Sequence, residues 1–218
     1  MNALAVTAPP KRIIVGGRSL VFYDYDEPVD HHLADKDACL CVLYNSEFYT
    51  FITAHPTCIK IWDATNGCLQ NVFRDISHAD ITCICLDDRQ RKLFVGDQRG
   101  RAYCLDVKNG VEKKRFRKPT DNKNARAQAS RDRSQGETQD QDISSLIFWG
   151  SQKNNLFCTS WDRKMYVFDD NDPQAREGQY RHKLDGRKDE SRFNYVDFYE
   201  PTMCTATASD DGSVYLQN

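Results

Sequence analysis

The sequence predicts an all-β fold in which four-stranded antiparallel sheets recur about every 40 residues and stack radially as a partial β-propeller. Three observations carry this expectation. Short apolar runs end on an acidic residue at a recurring interval. A second apolar run precedes each across a tight polar turn. Asn-Gly and Asp-Gly turns separate the runs, and little of the chain has helical periodicity.

The runs SLVFYD, CIKIWD, RAYCLD and KMYVFD close on Asp24, Asp63, Asp106 and Asp169, and a last run, SVYLQN, closes on Asn218. Their spacings are 39, 43, 63 and 49 residues, so the last two read as the same period enlarged by insertions. The preceding strands are RIIVGG, FYTFITA, KLFVGD, NLFCTS and MCTATAS. Turns such as DQRG at 97–100 and SDDG at 209–212 join neighbours that must run antiparallel. A further strand lies earlier in each unit. Ile81, Ile84 and Leu86 share a spacing with Ile143, Leu146 and Phe148, and with Phe193, Val196 and Phe198. After the Asn-Gly turns at 66–67 and 109–110 comes a fourth, CLQNVF or VEKKRF.

In chain order the units are 13–24 (partial), 37–73, 80–116, 143–185 and 192–218 (partial), within one domain spanning 1–218. Polar insertions occupy 117–142 and 170–191. Roughly four to five units are too few for a large closed ring. The expectation is a fragment of a longer protein, or a chain whose ring is completed by a further propeller segment. A small closed ring is the alternative.

The runs ending at Trp62-Asp63 resemble the third strand of a WD40 repeat, with Asp106 and Asp169 at the same place after a changed residue. The Gly-His element that opens such a repeat corresponds to Ser77-His78, and its Asp-Gly turn to Asp211-Gly212. The resemblance implies structural roles for Trp62, Asp63, His78, Asp106, Asp169, Asp211 and Gly212. His78 is expected to hydrogen-bond inside a blade, and Trp62 to pack in the core. ACLCVLYNSEFYTFITA, TSWDRKMYVFDD and NYVDF with TATASDDGSV resemble cilia- and flagella-associated WD-repeat proteins of the group with EF-hand segments. That likeness implies a structural role in a ciliary or flagellar axoneme.

Composition narrows the function classes. The net charge is -2, so no bulk field draws the chain to nucleic acid or to a membrane. No run of about 18 apolar residues occurs, and Met1-Asn2-Ala3-Leu4 opens without a signal-peptide pattern. The nine cysteines lie mostly within strands and lack paired Cys-x2-Cys spacing. They read as reduced apolar fillers, which suits the cytoplasm and cytoskeleton and argues against zinc. Asp170 and Asp172 open no EF-hand loop, because the glycine and glutamate such a loop needs are missing. His31 and His32 beside Asp30 read as a solvated loop in preference to a metal site, His55 lies in a turn, and His182 falls in the second insertion.

No phosphate loop or nucleophile elbow is present, so no catalytic, cofactor or metal residues are assigned and the chain is not expected to be an enzyme. Nine basic residues fall between Lys113 and Arg133. Lys113, Lys114, Arg115, Arg117, Lys118, Arg126, Arg131 and Arg133 are candidate docking residues for an acidic protein surface such as tubulin or an axonemal subunit. A solvated charged face is the alternative. Aromatics do not alternate with the basic residues, which argues against nucleic acid. Ser130 and Ser134 sit among arginines as candidate phosphorylation sites. The expected function is a non-catalytic, protein-binding scaffold of the axoneme, with a general intracellular adaptor as the alternative.

Overall fold

The computed structural model describes residues 3–6, 12–24, 31–118, 142–150, 153–172, 175–185 and 192–217. It is all-β, and among the described residues the only helical element is a 3-10 turn at Glu200–Thr202. The first sheet holds β1 (Ala3–Val6), β2 (Arg12–Gly16), β3 (Leu20–Asp24) and β4 (His31–Asp35). The second holds β5 (Cys41–Asn45), β6 (Thr50–Ala54), β7 (Cys58–Asp63) and β8 (Leu69–Arg74). The third holds β9 (Ile81–Leu86), β10 (Lys92–Asp97), β11 (Arg101–Asp106) and β12 (Glu112–Arg117). The fourth holds β13 (Ile143–Trp149), β14 (Asn155–Ser160), β15 (Lys164–Asp169) and β16 (Gln179–Asp185). The fifth has three strands, β17 (Phe193–Tyr199), β18 (Cys204–Ser209) and β19 (Val214–Gln217). Every sheet is an antiparallel meander in sequence order.

Local chemistry explains the meander. Gly67, Gly100, Gly110 and Gly212 have φ between 69° and 83°, the left-handed region that a side chain disfavours. Each places a tight turn where the sequence shows Asn-Gly, Arg-Gly or Asp-Gly. The acids closing β7, β11 and β15 organise the turns after them. Asp63 Oδ1 accepts from the Thr65 and Asn66 backbone N–H groups, and Asp106 Oδ1 from that of Lys108. Asp169 Oδ1 accepts from Asn171 N–H at 2.7 Å.

In the three middle sheets the second strand lies deepest. β6, β14 and nearly all of β10 are buried on both faces, which is why TFITA, KLFVG and NLFCT read as continuous apolar runs. Fourth strands end their sheets, and half of LQNVFR and five of the six residues of EKKRFR are polar.

The sheets pack face to face in chain order, giving four apolar seams. Ile14, Leu20 and Phe22 meet Val42, Phe51 and Trp62 in the first. Ile52, Ile59 and Ile61 meet Ile84, Leu93, Val95 and Tyr103 in the second. Phe94, Cys104 and Phe116 meet Leu146, Leu156, Cys158 and Phe168 in the third. Trp149, Phe157, Met165 and Val167 meet Val196 and Phe198 in the fourth. Each such side chain stabilises the stack by about 1.5–3 kcal/mol through burial. First strands also neighbour one another in order, β1 beside β5, β5 beside β9, β9 beside β13 and β13 beside β17.

All nine cysteines are free thiols, and five of them are buried. Burial pushes the Cys39 and Cys104 thiols up to about 12, so they remain neutral apolar groups. Small residues set the seam spacing. A Cβ on Gly96 would lie 2.7 Å from Cys83 Sγ and 2.8 Å from Ile143 Cγ2.

Three sequence expectations change. The first unit, read as 13–24, is a full four-stranded sheet from Ala3 to Asp35. ALAV is short and HHLAD carries few apolar residues, so neither announces a strand by pattern, yet both complete backbone ladders. The His31-His32 loop is therefore the start of β4, while Asp30 lies outside the described residues. The insertion read as 170–191 contains β16, a polar strand paired with β15 along its length.

The part of that insertion before β16 is also structured. Arg115 N–H donates to Arg176 O at 2.9 Å and Gly178 N–H donates to Arg115 O at 2.7 Å, so residues 176–178 run parallel beside β12. A strap thus ties the fourth sheet to the edge of the third. A Cβ on Gly178 would fall 2.0 Å from the Phe116 ring, which is itself buried. Gly178→Ala is expected to lower stability by about 1–3 kcal/mol through overpacking. A urea titration would read this as a lower midpoint with unchanged slope.

Candidate functional site: charged clusters at the sheet seams

The functional side chains gather where one sheet meets the next. Three clusters recur, each built from strand ends and the turns that follow them.

The first joins the first and second sheets. Lys60, on β7, is mostly buried and its ammonium donates to Asp35 and, at 2.6 Å, to Asp37. Burial pushes Asp35 up, but the Lys60 bond and the Asp37 backbone N–H outweigh it and hold the carboxyl below its ordinary value. Burial likewise works against the Lys60 ammonium, and the two carboxylates reverse the effect and raise it. Beside this pair sits a buried polar chain. Trp62 Nε1–H donates to Thr53 Oγ1 at 2.9 Å, and Thr53 Oγ1 lies 2.9 Å from His55 Nε2. His55 Nδ1 lies 2.9 Å from Ala38 O. The network is satisfied by a neutral imidazole that donates from Nδ1 and accepts at Nε2. Burial and the nearby Lys60 charge push His55 below its ordinary 6.5.

The second cluster joins the third and fourth sheets. Asp170, 1% exposed, accepts from Lys92 Nζ on β10 and Lys114 Nζ on β12, both at 2.5 Å. Lys114 also donates to Asp172 O at 2.7 Å. One carboxylate is therefore clamped by two ammonium groups from the neighbouring sheet.

The third lies at the far side of the same seam. Lys118, about one-tenth exposed, donates to Ser160 Oγ and lies 3.3 Å from Asp162 Oδ2, while the Tyr166 hydroxyl donates to Asp162 at 2.6 Å. Burial pushes the Lys118 ammonium below its ordinary value, and Asp162 partly restores it. The motif repeats in other sheets, with the Tyr103 hydroxyl on Asp97 at 3.0 Å and the Tyr215 hydroxyl on Asp211 at 3.2 Å.

The sequence-predicted residues fall into distinct places. Trp62 is buried, and its ring meets Phe22 edge-on at 6.1 Å. Asp63, Asp106 and Asp169 hold the turns after their strands, and Asp211 accepts from Ser213 N–H beside Gly212 at φ +83°. His78 departs from expectation. Its side chain makes no hydrogen bond among the described residues. Ser77 takes the inward bond instead, donating to Asp97 Oδ2 at 2.7 Å.

The basic strip also changes. Lys114 and Lys118 are buried against carboxylates and are not docking residues. Alternation along an edge strand explains it, since Lys114 and Phe116 face inward while Lys113, Arg115 and Arg117 face solvent. Those three are exposed but paired, Lys113 with Asp106 at 2.7 Å, Arg115 with Glu112, and Arg117 with Glu177 at 3.9 Å. Arg126, Arg131, Arg133, Ser130 and Ser134 lie outside the described residues.

Sequence reading missed His55, Thr53, Lys60, Lys92 and Asp170 as seam residues. A lysine inside the otherwise apolar CIKIWD was the available signal for Lys60. Among the described residues no cluster of His, Cys, Asp and Glu has the makings of a metal site. A hollow of about 410 Å3 opens beside the starts of β9 and β13, with Asp80, Asp142 and Trp161 on its wall. Burial pushes the Asp142 carboxyl up.

Two outcomes are expected from this geometry. Asp170→Ala leaves the buried Lys114 ammonium without its carboxylate, beside the partly exposed Lys92, and is expected to cost about 3–5 kcal/mol, read by chemical denaturation. Asp170→Ala combined with Lys114→Met should recover part of that loss. The second outcome concerns pH. A depressed His55 value means that the folded state favours the neutral ring, so its contribution is complete above 6.5 and lost as pH falls through the folded value. The Asp35 contribution is present above 3.8 and lost at lower pH still. Thermal midpoints should therefore fall in two acid steps, and His55→Gln should remove the upper one.

No family model matches the chain. A stretch of 102 residues, 47% of the chain, is 28% identical to a protein of Tetrahymena thermophila named cilia- and flagella-associated protein 337 B. The matched stretch spans 8% of that relative's length.

Proposed function

We propose that the chain is a partial WD40-type β-propeller that acts as a non-catalytic protein-binding scaffold in the ciliary or flagellar axoneme. The observation that carries the ciliary part is the likeness to a protein named as cilia- and flagella-associated. The scaffold part is supported by the stack itself. Five small sheets in chain order, with first strands side by side, form a rigid body whose turns and strap stand at its rims. Titratable groups at the seams are bonded to one another, an arrangement that holds the sheets together.

Binding in this reading uses the solvent-facing side of β12, where Lys113, Arg115 and Arg117 lie in one row. An acidic partner such as tubulin would compete with Asp106, Glu112 and Glu177 for them. Their existing pairing argues that each contributes little alone.

Expression of the tagged chain in a ciliated cell tests the reading. Retention in axonemes after detergent extraction is the expected result, with release as salt rises. A chain that stays in the soluble cytoplasm would leave the general adaptor in place of the axonemal role. Replacing Arg115 and Arg117 together by glutamate should weaken retention several-fold while leaving the fold intact, as judged by circular dichroism.

A further inference from the structure

We draw no further inference here: the strongest candidate, the hollow of about 410 Å3 beside the starts of β9 and β13, rests on its two acidic wall residues, Asp80 and Asp142, and nothing in the structure shows what covers it.

Discussion

The three middle sheets of this protein are buried on both faces, and that constraint shapes the rest. A four-stranded sheet whose second strand is TFITA or NLFCT cannot leave either side in water. The chain answers by laying the next sheet against the last, so the core is a series of seams instead of one central mass. Aromatic pairs such as Phe94 with Phe148 and Phe157 with Phe198, stacked 5.0 and 5.4 Å apart, bridge consecutive sheets.

Two of the buried charge clusters are built as neutralised groups. Asp170 sits between two lysines of the neighbouring sheet, and Lys60 between two aspartates. Desolvating such ions is costly, and their attraction offsets the cost only while the geometry holds. Removing one partner is therefore costly even where the intact pair adds little net stability. His55 belongs to the same logic. Its neutral ring completes a chain of hydrogen bonds from Trp62 to Ala38, linking strand β7 to the segment that enters the second sheet.

The polar surface is arranged by what the edge strands do. β12 turns Lys114 and Phe116 inward and Lys113, Arg115 and Arg117 outward, so one basic run serves two purposes. Its inner half fastens the fourth sheet, together with the strap through Gly178. Only its outer half faces solvent for a partner, already balanced by neighbouring acids.

Strand periodicity was legible because a strand repeats every two residues and its turns need glycine in the left-handed region. The runs around Asp63, Asp106 and Asp169, the Asn-Gly turns and the buried cysteines could all be read directly. Strands that are short or have little apolar content escaped notice. β1, β4 and β16 exist because an adjacent ladder offers them hydrogen bonds, which leaves no mark on their own composition. The sequence alone also showed the acids that close β7, β11 and β15, each of which accepts from the backbone of the turn that follows. It could not determine that Ser77 and not His78 takes the inward bond, or that Lys114 and Lys118 are consumed by Asp170 and Asp162. Those outcomes depend on which sheet lies opposite, and partners 42 to 56 residues apart in the chain meet only when the sheets stack.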